Sequence, residues 1–393
     1  MTSSLPVPQP THIVTPLTWL LRLGTGVLLV AVLIQLDQFL SARIVGFYYE
    51  EWILMAGIAA ILAASLNLIN GVTGQFSLGH AGFMAVGAYS SAYFSKVVGP
   101  QTTFQDPIVF GMAICIGALA AAIAGFLVGL PCLRLRGDYL AIATLGFGQI
   151  IVSLAQNMPV IGGATGYIAI PKWTSGAWVG SLAFLCVLSL RNLMKSQLGR
   201  EMRAVRDDEI AAEAAGINTT RVKVIAFVFS ALWAGVAGVL QAHLHQIAHP
   251  SDFTFVKSIE IVVMVVLGGL GSLTGSVCAA IGLTFLSQIL RDVSGATYVS
   301  FGLIALAAGL SLPKYQSRSK KSKFWVAQWL FWPSVSAVGV AILLTVGHDW
   351  LQKYIGALRT VIYSLILIVM MLLRPQGLLG RAEWSWKRRF SKH

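Results

Sequence analysis

Apolar residues in this chain gather in long blocks, unlike the alternating or one-sided patterns of a water-soluble domain. The blocks fall at 17–36, 52–69, 81–94, 108–130, 139–158, 178–190, 224–243, 259–290, 299–312, 326–347 and 359–373. A helix crosses the hydrocarbon core with about 20 mostly apolar residues, and with fewer where neighbouring helices shield it. The pattern predicts an all-α polytopic transmembrane bundle of about 10–11 spans, broken helices included, built from two loosely repeated halves across a single integral membrane domain, 1–393.

Two blocks are interrupted in a way that lipid-facing helix does not tolerate. Gly71 to His80 reads GVTGQFSLGH, and Leu267 to Ser276 reads LGGLGSLTGS. Both offer Gly, Ser and Thr at close spacing. Unpaired backbone at membrane depth persists only where protein or a water-filled cavity satisfies it, and paired interruptions point to a site between repeats. The expectation is broken helix lining a polar path; the alternative is a tight cytoplasmic turn. Block 259–290 is expected to enter and leave on one side as two half-spans. The glycines at 74, 79 and 271 are expected to supply positive backbone angles and close helix approach. Gly125, inside the smooth run 108–130, is expected to accept alanine.

Composition agrees with the pattern: 56% of the residues are hydrophobic and 11% charged, with mean hydropathy +0.76. A net charge of +13 would suggest nucleic acid in a soluble chain, but here the basic residues sit between apolar blocks and report orientation. With the N-terminus inside, twenty Lys and Arg fall on cytoplasmic segments 131–138, 191–223, 313–325 and the tail from Arg374, against seven outside. The positive-inside rule therefore places both termini in the cytoplasm. Cys115, Cys132, Cys186 and Cys278 are scattered in or beside apolar runs and read as packing residues. Met1 to Thr15 has no Lys or Arg and no small-residue cleavage pattern follows it, so a cleaved signal peptide is not expected.

The most structured soluble stretch lies in the loop 191–223. Asp207 is expected to cap a short helix whose first turn carries Asp208 and Glu209 and which Gly216 closes. Its apolar face, Ile210, Ala214 and Ile217, suits docking on another protein, with Arg203, Arg206, Asp208 and Glu209 fixing the register. Glu213 lies on the same short helix.

Five stretches carry a resemblance in one consistent order: Gly74 to Ala81, Arg136 to Gly146, Ala204 to Gly216, Leu267 to Gly275, and Arg374 to Gly380. They resemble the signature stretches of LivM-type permeases, membrane subunits of ABC importers for branched-chain and other neutral amino acids. The resemblance covers Trp52 to Asp292 and resumes near Ile362. Between them, 293–360 departs from the family as an insertion of two extra apolar spans around the basic loop Lys314 to Lys323. The resemblance implies a second, LivH-type permease subunit, two cytosolic ATP-binding subunits, an extracytoplasmic amino-acid-binding protein, and the bacterial plasma (inner) membrane. The segment 191–223 would then be the ATPase coupling loop, carried by Arg203, Arg206, Asp207, Asp208, Glu209, Glu213 and Gly216.

Polar residues inside spans are site candidates because they face the bundle or a cavity. They include Tyr89, Thr144, Gln156, Asn157, Gln241, His243 and His245. The expected substrate path is Gly74, Gln75, Ser77, Gly79, His80, Gln149, Glu260, Gly271 and Ser272. Gln and Ser can bond both ends of a zwitterion without trapping either. Glu260 opens an apolar run, and its alternative role is a helix N-terminal cap; His243 and His245, near Pro250, are expected to form an exposed cluster.

No P-loop signature occurs in the chain, so no ATP site of that kind, no bound cofactor and no metal are expected; ATP would be used by the partner subunits. No nucleophile-and-base motif points to an enzyme. The other readings are a permease for urea or short amides, a stand-alone ion-coupled carrier, and a membrane scaffold or receptor that moves nothing.

Overall fold

The computed structural model describes residues 47–97, 106–132, 135 and 137–291. The runs at 17–36, 299–312, 326–347 and 359–373, the insertion 293–360 and the Arg374 motif lie outside the described residues. Within them the chain is almost wholly helical. Helix α1 (Phe47–Asn67) continues into a π-turn (Leu68–Val72); α2 is His80–Val97, α3 Asp106–Cys132, α4 Asp138–Asn157 and α5 Gly176–Lys195. Two short helices, α6 (Gln197–Asp207) and α7 (Glu209–Ala214), precede α8 (Thr219–His245), α9 (Phe255–Gly268) and α10 (Leu273–Arg291).

Among the described residues, five stretches are long and apolar enough to cross a membrane: Glu50–Val72, Pro107–Cys132, Tyr139–Asn157, Gly176–Lys195 and Thr219–His245. Each coincides with a predicted block. The block 259–290 divides as expected: at 1.5 Å per residue, α9 reaches only about 21 Å, short of the ~30 Å hydrocarbon core. It turns at Gly269, which has φ +108°, and α10 runs back beside it.

Lipid is as apolar as leucine, so helices in it associate by close backbone contact and by polar bonds between them. The tightest group, α2, α3 and α8, uses both means. Gly87 of α2 lies against Gly235 of α8, Gly117 of α3 against the Gly87 carbonyl, and Gly238 of α8 against the Met84 backbone. A side chain at any of these would separate the helices. Gly125 belongs to the same seam: a Cβ there would sit 2.5 Å from that of Ala231. The expectation that Gly125 accepts alanine is therefore overturned, because the smooth apolar run gave no sign that another helix approaches it. Ser230 of α8 donates to the Ser65 carbonyl at 2.6 Å, tying α1 to this group, while α5 and the α9–α10 hairpin pack on other sides of α1.

At one end of the bundle, a two-residue antiparallel pair, β1 (Tyr167–Ile168) with β2 (Ile247–Ala248), links the loops that follow α4 and α8. The other end carries α6 and α7. Between these ends the histidine expectation fails. His243 is fully buried, stacked at 5.3 Å on Trp173 and edge-on to Phe110, with Nδ1 3.0 Å from the Pro171 carbonyl. Only His245 is partly exposed, its Nδ1 3.7 Å from Glu51.

Candidate functional site

The two Gly-rich stretches meet. Asn67, the last residue of α1, accepts a hydrogen bond through Oδ1 from Gly271 N at 2.9 Å. Gly71 packs so closely on Gly271 that a Cβ on Gly71 would overlap the Gly271 backbone and the Asn67 carboxamide. Gly271 takes φ +88° and Gly74 φ +75°, a region side chains disfavour. Gly79 keeps ordinary backbone geometry, but a Cβ there would overlap the Thr144 carbonyl of α4. The glycines thus serve the two purposes expected of them, divided among positions.

Unwinding begins with the π-turn. Thr73 N bonds the Leu68 carbonyl at 3.1 Å and Gln75 N the Ile69 carbonyl at 3.0 Å. Gln75 N is the group that would cap the Gly71 carbonyl in a regular helix, so that carbonyl is left for another donor. Arg206 of α6 supplies one, with Nη1 3.1 Å from Gly71 O. Its other edge is held by Asp207, whose Oδ1 lies 3.2 Å from Nε and 3.1 Å from Nη2. The side chain of Arg206 also fills the space beside Gly74. The segment expected to face another protein therefore turns one arginine inward, onto the break.

Past the π-turn the polar side chains Thr73, Gln75, Ser77 and His80 are buried, while Phe76 is exposed. Asn70 Oδ1 accepts from Ser77 N at 3.1 Å, and Thr144 Oγ1 from Leu78 N at 3.1 Å. Ser258 of α9 accepts from Ala81 N at 3.2 Å, near the start of α2. Within the described chain, both ends of the Gln75 carboxamide, Ser77 Oγ, and the Nδ2 groups of Asn67 and Asn70 have no partner. Leaving such groups unbonded costs about 1–3 kcal/mol each, so the stretch is suited to meeting water or a polar ligand. His80 is buried; Ser65 Oγ donates to the Leu62 carbonyl at 3.0 Å and lies 2.9 Å from Nε2. His80 Nδ1 has no partner within the described chain.

Gly74, Gln75, Ser77, Gly79, His80, Gly271 and Ser272 thus gather around one junction. Ser272 is buried there and its Oγ accepts from Gly275 N at 3.2 Å, capping α10. Two predicted residues lie elsewhere. Gln149 is on an exposed stripe of α4 with Ile142 and Ile150. Glu260 is in the second turn of α9, where its Oε2 meets Lys257 Nζ at 3.2 Å; the cap position is Thr254. It lines a cavity against the middle of α1. Asn67, Asn70 and Lys257 were missed by sequence reasoning, although asparagines at i and i+3 directly before a glycine in an apolar run are a readable signal.

The coupling segment differs from expectation in detail. Asp207 ends α6, and the cap of α7 is Asp208, accepting from Ile210 N at 2.9 Å and Ala211 N at 3.1 Å. Glu209 reaches back to Lys223 of α8 at 2.6 Å, and Glu213 accepts from Thr219 Oγ1 at 2.7 Å. Arg203 bonds the Gly199 and Met194 carbonyls. Gly216 closes the helix with φ +84°. These charges hold α6 and α7 to the bundle, while Ile210 stands 69% exposed. Lys or Arg on such a segment is expected at the cytoplasmic end of a bundle.

An all-α, multi-pass bundle with two glycine breaks joined at its core defines the class: an integral membrane permease. The family described as branched-chain amino acid transport system / permease component matches residues 48–309, and the chain belongs to it. It is 36% identical over 283 residues to the high-affinity branched-chain amino acid transport permease LivM of Salmonella typhimurium, covering 63% of this chain and 65% of that protein. With LivM of Escherichia coli it shares 37% identity over 277 residues, covering 62% and 63%. Similarity extends to LivH of Salmonella typhimurium, at 27% over 271 residues, 67% of this chain and 82% of the relative. The chain spans less than two thirds of the length of these LivM relatives. No solved structure matches it.

Proposed function

We propose that this chain is one permease subunit of an ATP-driven importer of branched-chain or other neutral amino acids. The observation that carries the reading is the Arg206 contact: a residue of the coupling segment caps the carbonyl at which α1 unwinds, where the two breaks join. A movement of α6 driven by a bound ATPase would then reach the breaks through one hydrogen bond. For such coupling the ATPase must bind the two states of the permease with different affinity.

The LivH similarity supports a second, related permease as the companion, and the exposed stripe of α4 with Gln149 is suited to facing it. Two cytosolic ATP-binding subunits would engage Ile210 and the exposed face of α7. An external binding protein would deliver the amino acid in the bacterial plasma membrane, at the end carrying β1 and β2, with both termini of the chain cytoplasmic. The chemistry asked of this chain is positioning and gating; no bond is made or broken by it.

The test is uptake in a strain deleted for this chain. Complementation should restore ATP-dependent entry of labelled neutral amino acids, and membrane fractions should co-purify an ATPase. Restoration of entry without any ATPase would favour an ion-coupled carrier; unchanged uptake in the deletion would favour a scaffold.

A further inference from the structure

We propose that the cavity between α1, α8, α9 and α10 is a phospholipid site, selective for a headgroup that carries a primary ammonium beside its phosphodiester. The inference goes beyond the permease reading and needs only that these helices lie in a bilayer. The cavity measures about 140 Å³, the scale that takes one benzene-sized group, so it holds part of a lipid while the rest stays in the membrane. Its lining changes character with depth. Met55, Lys257, Glu260, Ser287 and Gln288 are partly exposed and form the mouth, whereas Ile58, Leu62, Ile261 and Met264 are buried and form the floor. Lys257 and Glu260 are two and five residues from the start of α9, and Gln288 is three from the end of α10, or roughly 3–8 Å along the helix axes. Met264 and Leu62 lie four and seven residues beyond Glu260 and Met55, roughly 6–11 Å deeper. Polar groups near the membrane surface and an apolar floor toward the bilayer centre follow the order in which a phospholipid runs. Val256 and Ile259, beside the two charged residues, are exposed apolar side chains, as is Ile281 of α10, so lipid reaches the helices that form the mouth.

The charges and hydroxyls of the mouth select the headgroup. Lys257 Nζ and Glu260 Oε2 lie 3.2 Å apart, with side chains 25% and 27% exposed. A phosphodiester meets Lys257 and an ammonium meets Glu260, so entry of such a headgroup between them leaves neither charge unmatched. Thr284 Oγ1 donates to the Ala280 carbonyl at 2.8 Å, and Ser287 Oγ to the Leu283 carbonyl at 3.0 Å. Each hydroxyl thus commits its one proton to its own helix and keeps lone pairs as acceptors. Acceptors call for N–H donors, which a primary ammonium has and a quaternary one lacks. A phosphodiester with an uncharged headgroup satisfies Lys257 and strands Glu260. A free amino acid carries both charges, but the deepest floor residues, one to two helical turns below the mouth, call for a longer chain than its side chain supplies.

The experiment purifies the assembled complex through the full chain, reconstitutes it in vesicles of equal parts phosphatidylethanolamine, phosphatidylcholine and phosphatidylglycerol, and identifies the lipids retained on re-extraction by native mass spectrometry. Wild type is expected to retain phosphatidylethanolamine over each of the other two by about tenfold. Lys257→Gln and Glu260→Gln are each expected to lower that preference by about tenfold. Should the charge variants fail to assemble, Thr284→Val decides: it keeps the size, removes one acceptor, and is expected to lower the preference for phosphatidylethanolamine over phosphatidylcholine by about threefold. Equal retention of the three lipids by wild type overturns the site, as does a preference in the assembled variants within about 1.5-fold of wild type. Soluble phosphoethanolamine and leucine, each added in excess, are expected to leave the retained lipid in place; displacement by either overturns the lipid assignment. Leucine uptake by the same vesicles tests the permease reading separately: absent uptake with the lipid preference intact leaves the site standing, and normal uptake without the preference refutes the site alone.

Discussion

Replacing Arg206 by alanine removes one guanidinium and thereby the donor to the Gly71 carbonyl. A hydrogen bond with a charged partner contributes about 1.5–3 kcal/mol, and the side chain is 22% exposed, which favours the lower half of that range. If the bond is made in only one of the two transport states, its loss changes their ratio by about 10- to 45-fold. The expected phenotype is specific: ATPases still co-purify, ATP is still hydrolysed, and amino acid entry per ATP falls by about tenfold or more. Arg206→Lys retains the charge but not the fork that spans Gly71 and Asp207, so it should recover only part of the loss. Asp207→Asn should fall between wild type and Arg206→Ala, since it weakens the hold on the far edge of the guanidinium. The assay is paired ATP hydrolysis and leucine entry in proteoliposomes. Arg206→Ala with normal membrane level and a coupling ratio within about twofold of wild type would refute the argument.

Gly79→Val and Gly271→Val should each lose uptake in an assembled complex, the first by overlap with Thr144 and the second by its φ of +88°. Gly125→Ala should cost about 1–3 kcal/mol by forcing α3 from α8, seen as a lower melting temperature, whereas Gly282→Ala, with open space around it, should match wild type. Ile210→Glu should abolish ATPase co-purification while leaving the fold intact, because Ile210 is 69% exposed; recovery of a normal complex would exclude α7 as the docking face. In a background without native cysteines, Cys at Ser175 should react with an impermeant thiol reagent in intact cells and Cys at Thr220 only with a permeant one, and the reverse result would invert the orientation.

The breaks were legible because glycines, Gln75, Ser77 and His80 in an apolar block have no stable place against lipid. That they join each other was less so: Asn67 and Gly271 are 204 positions apart, and no local periodicity records such a contact. Arg206 was recognised as part of a charged helix, but its turn toward Gly71, 135 positions away, follows from the carbonyl freed by the π-turn. The cap moved from Asp207 to Asp208 because either aspartate satisfies the local rule and the Arg206 contact claims the first. His243 was misread since its burial depends on Trp173 and Phe110 folding over it from other segments. Glu260 was found by its rarity in an apolar run, while the cavity it lines needs four separate helices to exist.

The most direct test of the account is transport by the purified importer, captured through this chain and reconstituted with its external binding protein. The account predicts that labelled leucine accumulates only when ATP and the binding protein are both supplied, and that Arg206→Ala hydrolyses ATP without accumulation. Accumulation driven by an ion gradient in the absence of ATP would contradict it.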